Sequence, residues 1–339
     1  MYSKHTAQRG CGLRQRKCSV HKTEKKQTKQ EKRIAGVAGK PLTEFSIATA
    51  YWALLTNPCT FWLTMRFFLA VIHNYLMRQF LNVWHVTRVP VVHVDHPLDK
   101  RVPFLPAKVG VYFRFIDFWI EPLSMLIKRY GYWRGSRLCR PWLVAIKRVY
   151  QSGGKVYAGY LSTTDRPEYT ADKHFRLIHR ADPHLLCVPS LHIAIIVLCF
   201  TYYRALFDRE GFTDAEKAQW NKSLYDEAVA IAESVLYIKQ HSVNCIPAAL
   251  YMMTAQFPDL VQQPTVEQFI ADMFATADAR DVAGEDAAAI RAHILALYRD
   301  YLQKGASAAH WWEPIQAWLS SYSAAEQEAA YAAKAAANA

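Results

Sequence analysis

The sequence predicts an all-α protein: a bundle of apolar helices followed by an additional C-terminal helical segment. Three observations predict it. Hydrophobic residues fill 52% of the 339 positions and aromatic residues 13%, enough for a sizeable core. They gather in long runs with helical periodicity, separated by proline and glycine punctuation. The runs also carry isolated charges, so no segment offers 18 uninterrupted apolar residues. Intramembrane charges are costly and face a bundle interior or a cavity. The pattern therefore fits a polar-cored membrane bundle or a compact soluble one, and periodicity alone does not choose.

The elements follow in order. Residues 1–40 hold twelve Lys/Arg against Glu24 and Glu31, so about +10 of the net +12 sits there. With few large apolar side chains, this stretch reads as a disordered basic arm. It is either a solubilising tail or is drawn to an anionic membrane or nucleic acid. No apolar stretch lies near Met1, so no secretory signal is expected. Residues 41–257 read as the bundle. Helices are expected over Thr43–Met77 with a break at Asn57-Pro58, over Lys108–Ile127, from Pro141 to Ser152-Gly153-Gly154, and from Pro189 to Tyr203. After a connector with a helix start at Thr213-Asp214, a helix is expected over Asp226–Thr254, interrupted at Pro247. The proline-rich stretch before Lys108 reads as loop or extended chain, and residues 151–188 as irregular. Residues 258–325 read as acidic amphipathic helices capping the bundle, and 326–339 as a fraying Ala-rich tail. The seven cysteines are odd in number and show no zinc spacing, so reduced thiols and no metal site are expected.

Two histidines stand out. His192 sits in Pro189-Ser190-Leu191-His192, at the mouth of the apolar run Cys187–Phe200. His241 follows Ser234 by seven residues, two helical turns, which would put both on one face. A helix start with free N–H groups and the Ser190 hydroxyl suits an oxyanion. One histidine can attack phosphorus while the other protonates the leaving oxygen. Arg166 and Lys239 are the candidate cations.

PSLH at Pro189–His192, followed by SVLYIKQHSVNC at Ser234–Cys245, resembles the type 2 phosphatidic acid phosphatase / haloperoxidase superfamily. LDKRVPFLP at Leu98–Pro106 and RLIHRADPHLLCVPSLH before His192 resemble its inositol phosphorylceramide synthase-like branch. The resemblance covers about Pro97 to Thr254. It implies a six-helix bundle, often membrane-embedded, here multi-pass in the cell inner membrane; the basic arm then favours a cytoplasmic N-terminus. It implies a lipid-phosphate phosphatase or phosphotransferase working through a phosphohistidine, with no metal or other cofactor and no specific nucleic-acid partner. His241 would be the nucleophile and His192 the general acid. Arg166, Ser190, Ser234 and Lys239 would hold the phosphate. Three positions depart from the pattern: Val235 replaces an arginine, Gly159 stands where a lysine is usual, and Cys245 replaces the aspartate that orients the nucleophile. Cys245 itself or Asp182 is the candidate orienter, with Glu233 a further carboxylate. The Cys245 departure also leaves open a non-catalytic phosphate- or lipid-binding relative. Apart from the resemblance, a helical bundle with a basic binding arm remains.

Overall fold

The structure is a computed structural model and describes residues 28–276 and 281–329. It is helical almost throughout. α1 is helical over 28–37. α2 (Ile47–Thr56) and α3 (Pro58–Val71) meet at Asn57, whose side chain accepts a hydrogen bond from Cys59 N at 3.0 Å and caps α3. With Pro58 at the first helical position, the chain turns through 105° there. α3 runs on through a π-turn at Ile72–Leu76 into α4 (Met77–Val83). The extended stretch that follows holds β1 (Val91–His93), paired in parallel with β2 (Leu161–Thr163).

α5 (Val109–Tyr130) and α6 (Tyr132–Tyr157) form a hairpin around Gly131, whose φ of 80° suits glycine. α6 differs from expectation at both ends. It begins nine residues before Pro141, which lies inside it. It also runs through Gly153 and Gly154, which are needed for close packing. A Cβ on Gly154 would stand 2.3 Å from Asn74 Oδ1, and one on Gly153 would stand 2.9 Å from Leu191 Cδ2. The stretch 151–188 is likewise more regular than expected, since it contains β2 and α7 (Lys173–Ala181).

α8 (Leu191–Arg209) is the central helix, with nearly every side chain from Leu191 to Tyr203 buried. α9 (Asp214–Tyr237) starts with a capping box between Thr213 and Glu216, and α10 is Cys245–Gln256. The break expected at Pro247 lies instead at 238–244, because Pro247 falls in the first turn of α10, where its missing N–H costs nothing. α11 (Gln263–Asp272), α12 (Gly284–Gly305) and α13 (Glu313–Ser321) follow. α12 packs Ile290, Ile294, Tyr298 and Tyr301 into the same core as α8 and α10.

The charges inside the apolar runs pair across helices. Arg114 of α5 donates to Glu121 at 2.8 and 3.0 Å and to Glu227 of α9 at 2.8 Å. Arg129 donates to Glu216 at 2.5 and 3.2 Å, both side chains buried. Such pairs fix which helix faces meet, since removing one partner strands a buried charge. Among the described residues one helix, α8, is long and apolar enough to cross a membrane, and the bent pair α2 with Pro58–Val83 passes the same test. The relevant window of α8 is 78% buried by its neighbours.

Both ends of the described chain are tied down. The last part of the stretch read as a disordered arm is ordered: Gln30 Nε2 donates to Arg129 O, and Trp220 Nε1 donates to Lys40 O. Residues 1–27 lie outside the described residues. Tyr322 donates to Asp95 O at 2.6 Å and accepts from Asn244 Nδ2 at 2.9 Å, and Lys100 pairs with Glu328. The Ala-rich stretch is helical over 324–329, and residues 330–339 are outside the described residues.

Candidate active site

Ser190 caps α8, its Oγ accepting from Ile193 N at 3.4 Å. The first turn of α8 carries His192, held between the rings of Tyr112 and Phe115 of α5 at 4.9 and 4.5 Å. His241 arrives from the turn after α9. There Lys239 takes a left-handed φ of 55°, Gln240 N donates to Val235 O, and Lys239 N donates to Leu236 O. This is the Schellman end of a helix, unusual in having lysine at the left-handed position. It turns the chain out of the helix and back towards α8. His241 Nε2 lies 3.1 Å from Ser190 Oγ and 3.4 Å from His192 Nδ1.

The turn is braced by the LDKRVPFLP segment. Asp99 accepts from Val243 N and from His96 N, each at 2.8 Å. Lys239 Nζ in return donates to Asp99 O at 2.5 Å and to Val102 O. Burial pushes the Asp99 carboxyl up to about 6, against hydrogen bonds from Ser242, Val243 and His96 that pull it down.

Two cavities meet at His241, the one residue common to both linings. An apolar cavity of 410 Å3 is lined by Tyr75, Tyr112, Phe115, Ile116 and Leu177, and reaches His192 and His241. A more open cavity of 740 Å3 has charges of both signs in its wall: Lys100, Arg166 and Lys239 with Asp95, Asp165 and Glu328. An amphiphile with an apolar chain and a charged head matches that division.

Burial depresses His192 to about 3, with His241 adding in the same direction and Cys187 opposing, so its imidazole is neutral at pH 7. Ser190 Oγ can donate its proton to His241 Nε2. The ring proton is then on Nδ1, which is buried and has no hydrogen-bond partner among the described residues. Cys187 is the nearby thiol. Burial pushes it up, but Cys245, His184 and His241 together draw it well below its ordinary value.

The structure brings Ser190, His192 and His241 together, and sets Arg166 on the polar cavity beside His241. It does not bring Ser234. His241 is not on a helix, so the two-turn spacing has no meaning there, and Ser234 Oγ donates to Ile231 O at 2.7 Å inside α9. Lys239 has its ammonium committed to backbone carbonyls. Asp182 does not orient His241, since its carboxylate accepts from Arg166 at 3.0 Å and from His184 N at 3.0 Å. Glu233 accepts from Phe274 N. Cys245 is fully buried at the start of α10 against Cys187, with no hydrogen bond to His241 Nδ1. Arg166, paired with Asp182, also has a buried Nε–H without a partner among the described residues.

Residue-by-residue reading passed over Asp99, Cys187 and His184. Asp99 lay inside a motif already singled out, which was the available signal. Cys187 and His184 had none beyond proximity to PSLH. One group of ligand-type atoms, from His93, Asp95 and Asp165, lies within 4.8 Å at the rim of the polar cavity. His93 and Asp165 are exposed, and the Asp95 carboxylate already accepts from Asp165 N.

Comparison of the chain with protein-family models, with curated proteins and with solved structures finds no match.

Proposed function

We propose that the chain is a lipid-phosphate phosphatase or phosphotransferase that works through a phosphohistidine on His241, without a metal. The observation that carries the reading is that Ser190 Oγ and His192 Nδ1 both lie within 3.4 Å of His241 Nε2, and that His241 lines both an apolar and a more open, charged cavity. A phosphate oxygen that takes over the Ser190 hydroxyl frees the Nε2 lone pair to attack phosphorus. The P–O bond to the alcohol breaks, and His192 delivers the proton the leaving oxygen needs. A neutral His192 must first gain that proton, and the negative charge of the bound phosphate favours it. Water or a second alcohol then attacks the phosphohistidine and returns a proton to His192. Hydrolysis and transfer differ only in that acceptor. Arg166 and the α8 N-terminus would stabilise the equatorial oxygens.

The six helices that line the histidine cavity or flank the His241 turn are α5, α6, α7, α8, α9 and α10. They stand for the six-helix core that the resemblance implies, and the proposal sets them at a membrane without requiring each to cross it. The orphaned Nδ1 of His241 favours one alternative, a binding protein that holds a lipid phosphate without turning it over. The test is release of phosphate from a short-chain phosphatidic acid in detergent, with no added metal. The native chain should release it, and His241→Ala should lower the rate by about a thousandfold or more. A folded native chain that binds the lipid and releases nothing would establish the binding protein instead.

A further inference from the structure

Among the described residues, nothing covers the apolar face of α3 and α4. Trp62, Phe68, Leu69, Ile72, Leu76 and Met77 are all exposed along α3, the π-turn and the start of α4, Trp62 at 70% and Leu69 at 63%. Trp52 on α2 and Trp84 just after α4 add two more exposed indoles, at 61% and 66%. A contiguous stripe of large apolar side chains on a protein surface marks something that covers it.

The charges around the stripe say what. Between Glu44 and Asp95 the chain has no aspartate or glutamate, while Arg66, Arg78 and Arg88 lie in this stretch, Arg66 and Arg88 at least partly exposed. Tryptophan at the edge of an apolar face, with arginine and no carboxylate, is the composition of an element lying in the boundary between lipid headgroups and acyl chains. A second observation is independent of composition. A cavity of 180 Å3 opens between α2, α3, α5 and α6, with the exposed Tyr51, Phe68 and Ile116 in its wall. It shares Ile116 and Tyr150 with the 410 Å3 cavity that reaches His192 and His241. The two cavities thus adjoin across these two side chains.

We propose that the α2–α4 face seats in one leaflet of an anionic bilayer, and that the two adjoining cavities, opened past Ile116 and Tyr150, admit an acyl chain sideways from that leaflet to His192 and His241. The seating does not depend on the chemistry of His241, whereas the use of the cavities rests on the proposed function.

The test is flotation of the full chain with vesicles of phosphatidylcholine and phosphatidylglycerol. It is run at about 1 M salt, where the Debye length is about 3 Å and the basic N-terminal stretch is screened. The native chain should float, and Trp62→Ser with Leu69→Ser should lower partitioning at least about tenfold. Phosphate release from the short-chain substrate in detergent should be retained by that double variant, which separates loss of docking from loss of chemistry. As a reading that needs no variant, lipids brominated on their acyl chains should quench the tryptophan fluorescence of the native chain. A native chain that neither floats nor is quenched overturns the proposal. So does a concentration-dependent dimer that the double substitution dissolves, which would assign the face to a second copy.

Discussion

The two ring nitrogens of His241 have unlike surroundings. Nε2 meets Ser190 and His192, whereas Nδ1 is buried without a partner among the described residues. A carboxylate near Nδ1 would hold its proton and stabilise positive charge as Nε2 forms a bond to phosphorus. Cys245 stands four residues on, where the family pattern has an aspartate; burial pushes its thiol well up, and a neutral thiol accepts weakly. Cys245→Asp is therefore expected to raise the rate of phosphate release about tenfold or more, while lowering Tm by several degrees because a carboxylate is buried. Steady-state release and a thermal melt on the same preparation check both. An unchanged rate in a folded variant would mean that Cys187 already orients the ring.

At the scale of elements, the site depends on a turn held by a distant segment. Asp99 uses its two carboxylate oxygens on two backbone N–H groups, Val243 and His96. An asparagine in its place would keep one acceptor and lose the other, so Asp99→Asn should cost about 1–3 kcal/mol of stability. It should also slow phosphate release about tenfold or more, by loosening the geometry of His241. Chemical denaturation and turnover, measured together, test the pair of effects. A variant that loses stability but turns over normally would show that the brace does not position His241. The sequence makes PSLH and His241 legible because a polar cluster at the mouth of an apolar run is unusual. The turn between them and α9 is not legible, because lysine gives no sign that it will adopt a left-handed φ, and Pro247 offers a more obvious break. Gly153-Gly154 misleads for the same reason. Its small size serves contact with Asn74 and Leu191, which only the packed helices reveal. Likewise, Arg166 and Asp182 read as two separate candidates, while their pairing depends on a loop folding back.

Across the whole molecule, three enclosed histidines set the response to acid. His96 and His293 stack at 4.1 Å, and His293 Nε2 lies 2.7 Å from Asn244 Oδ1. Burial lowers His96 to about 4 and His293 to about 3, as it lowers His192 to about 3. In the unfolded chain each titrates near 6.5. Their contribution to stability is therefore complete above about pH 6.5 and is lost as pH falls from there towards the folded values. Asp99 runs the other way. Its folded value of about 6 lies above the ordinary 3.8, so its contribution is present below pH 3.8 and lost as pH rises through 6. Burial also raises the Asp95 and Glu227 carboxyls, which act with Asp99, and lowers His179, which acts with the other histidines. Of these groups the three enclosed histidines are shifted furthest, and Tm should fall steadily between about pH 6.5 and about 4.5. His293→Gln, which can still bond Asn244, should flatten that slope. An identical slope in the variant would remove His293 from the account.

The bond from Asn244 to Tyr322 spans 78 residues, and Tyr322 also holds Asp95. On the ribosome, both histidines emerge well before the tyrosine that backs their loop. Synthesis runs from the N-terminus, so the nascent centre waits for α11–α13 before it can close. A premature stop codon ahead of position 322 would spare every residue assigned to the chemistry and still leave the loop without its backing. Loss-of-function alleles are therefore expected towards the end of the reading frame as well as around His192 and His241.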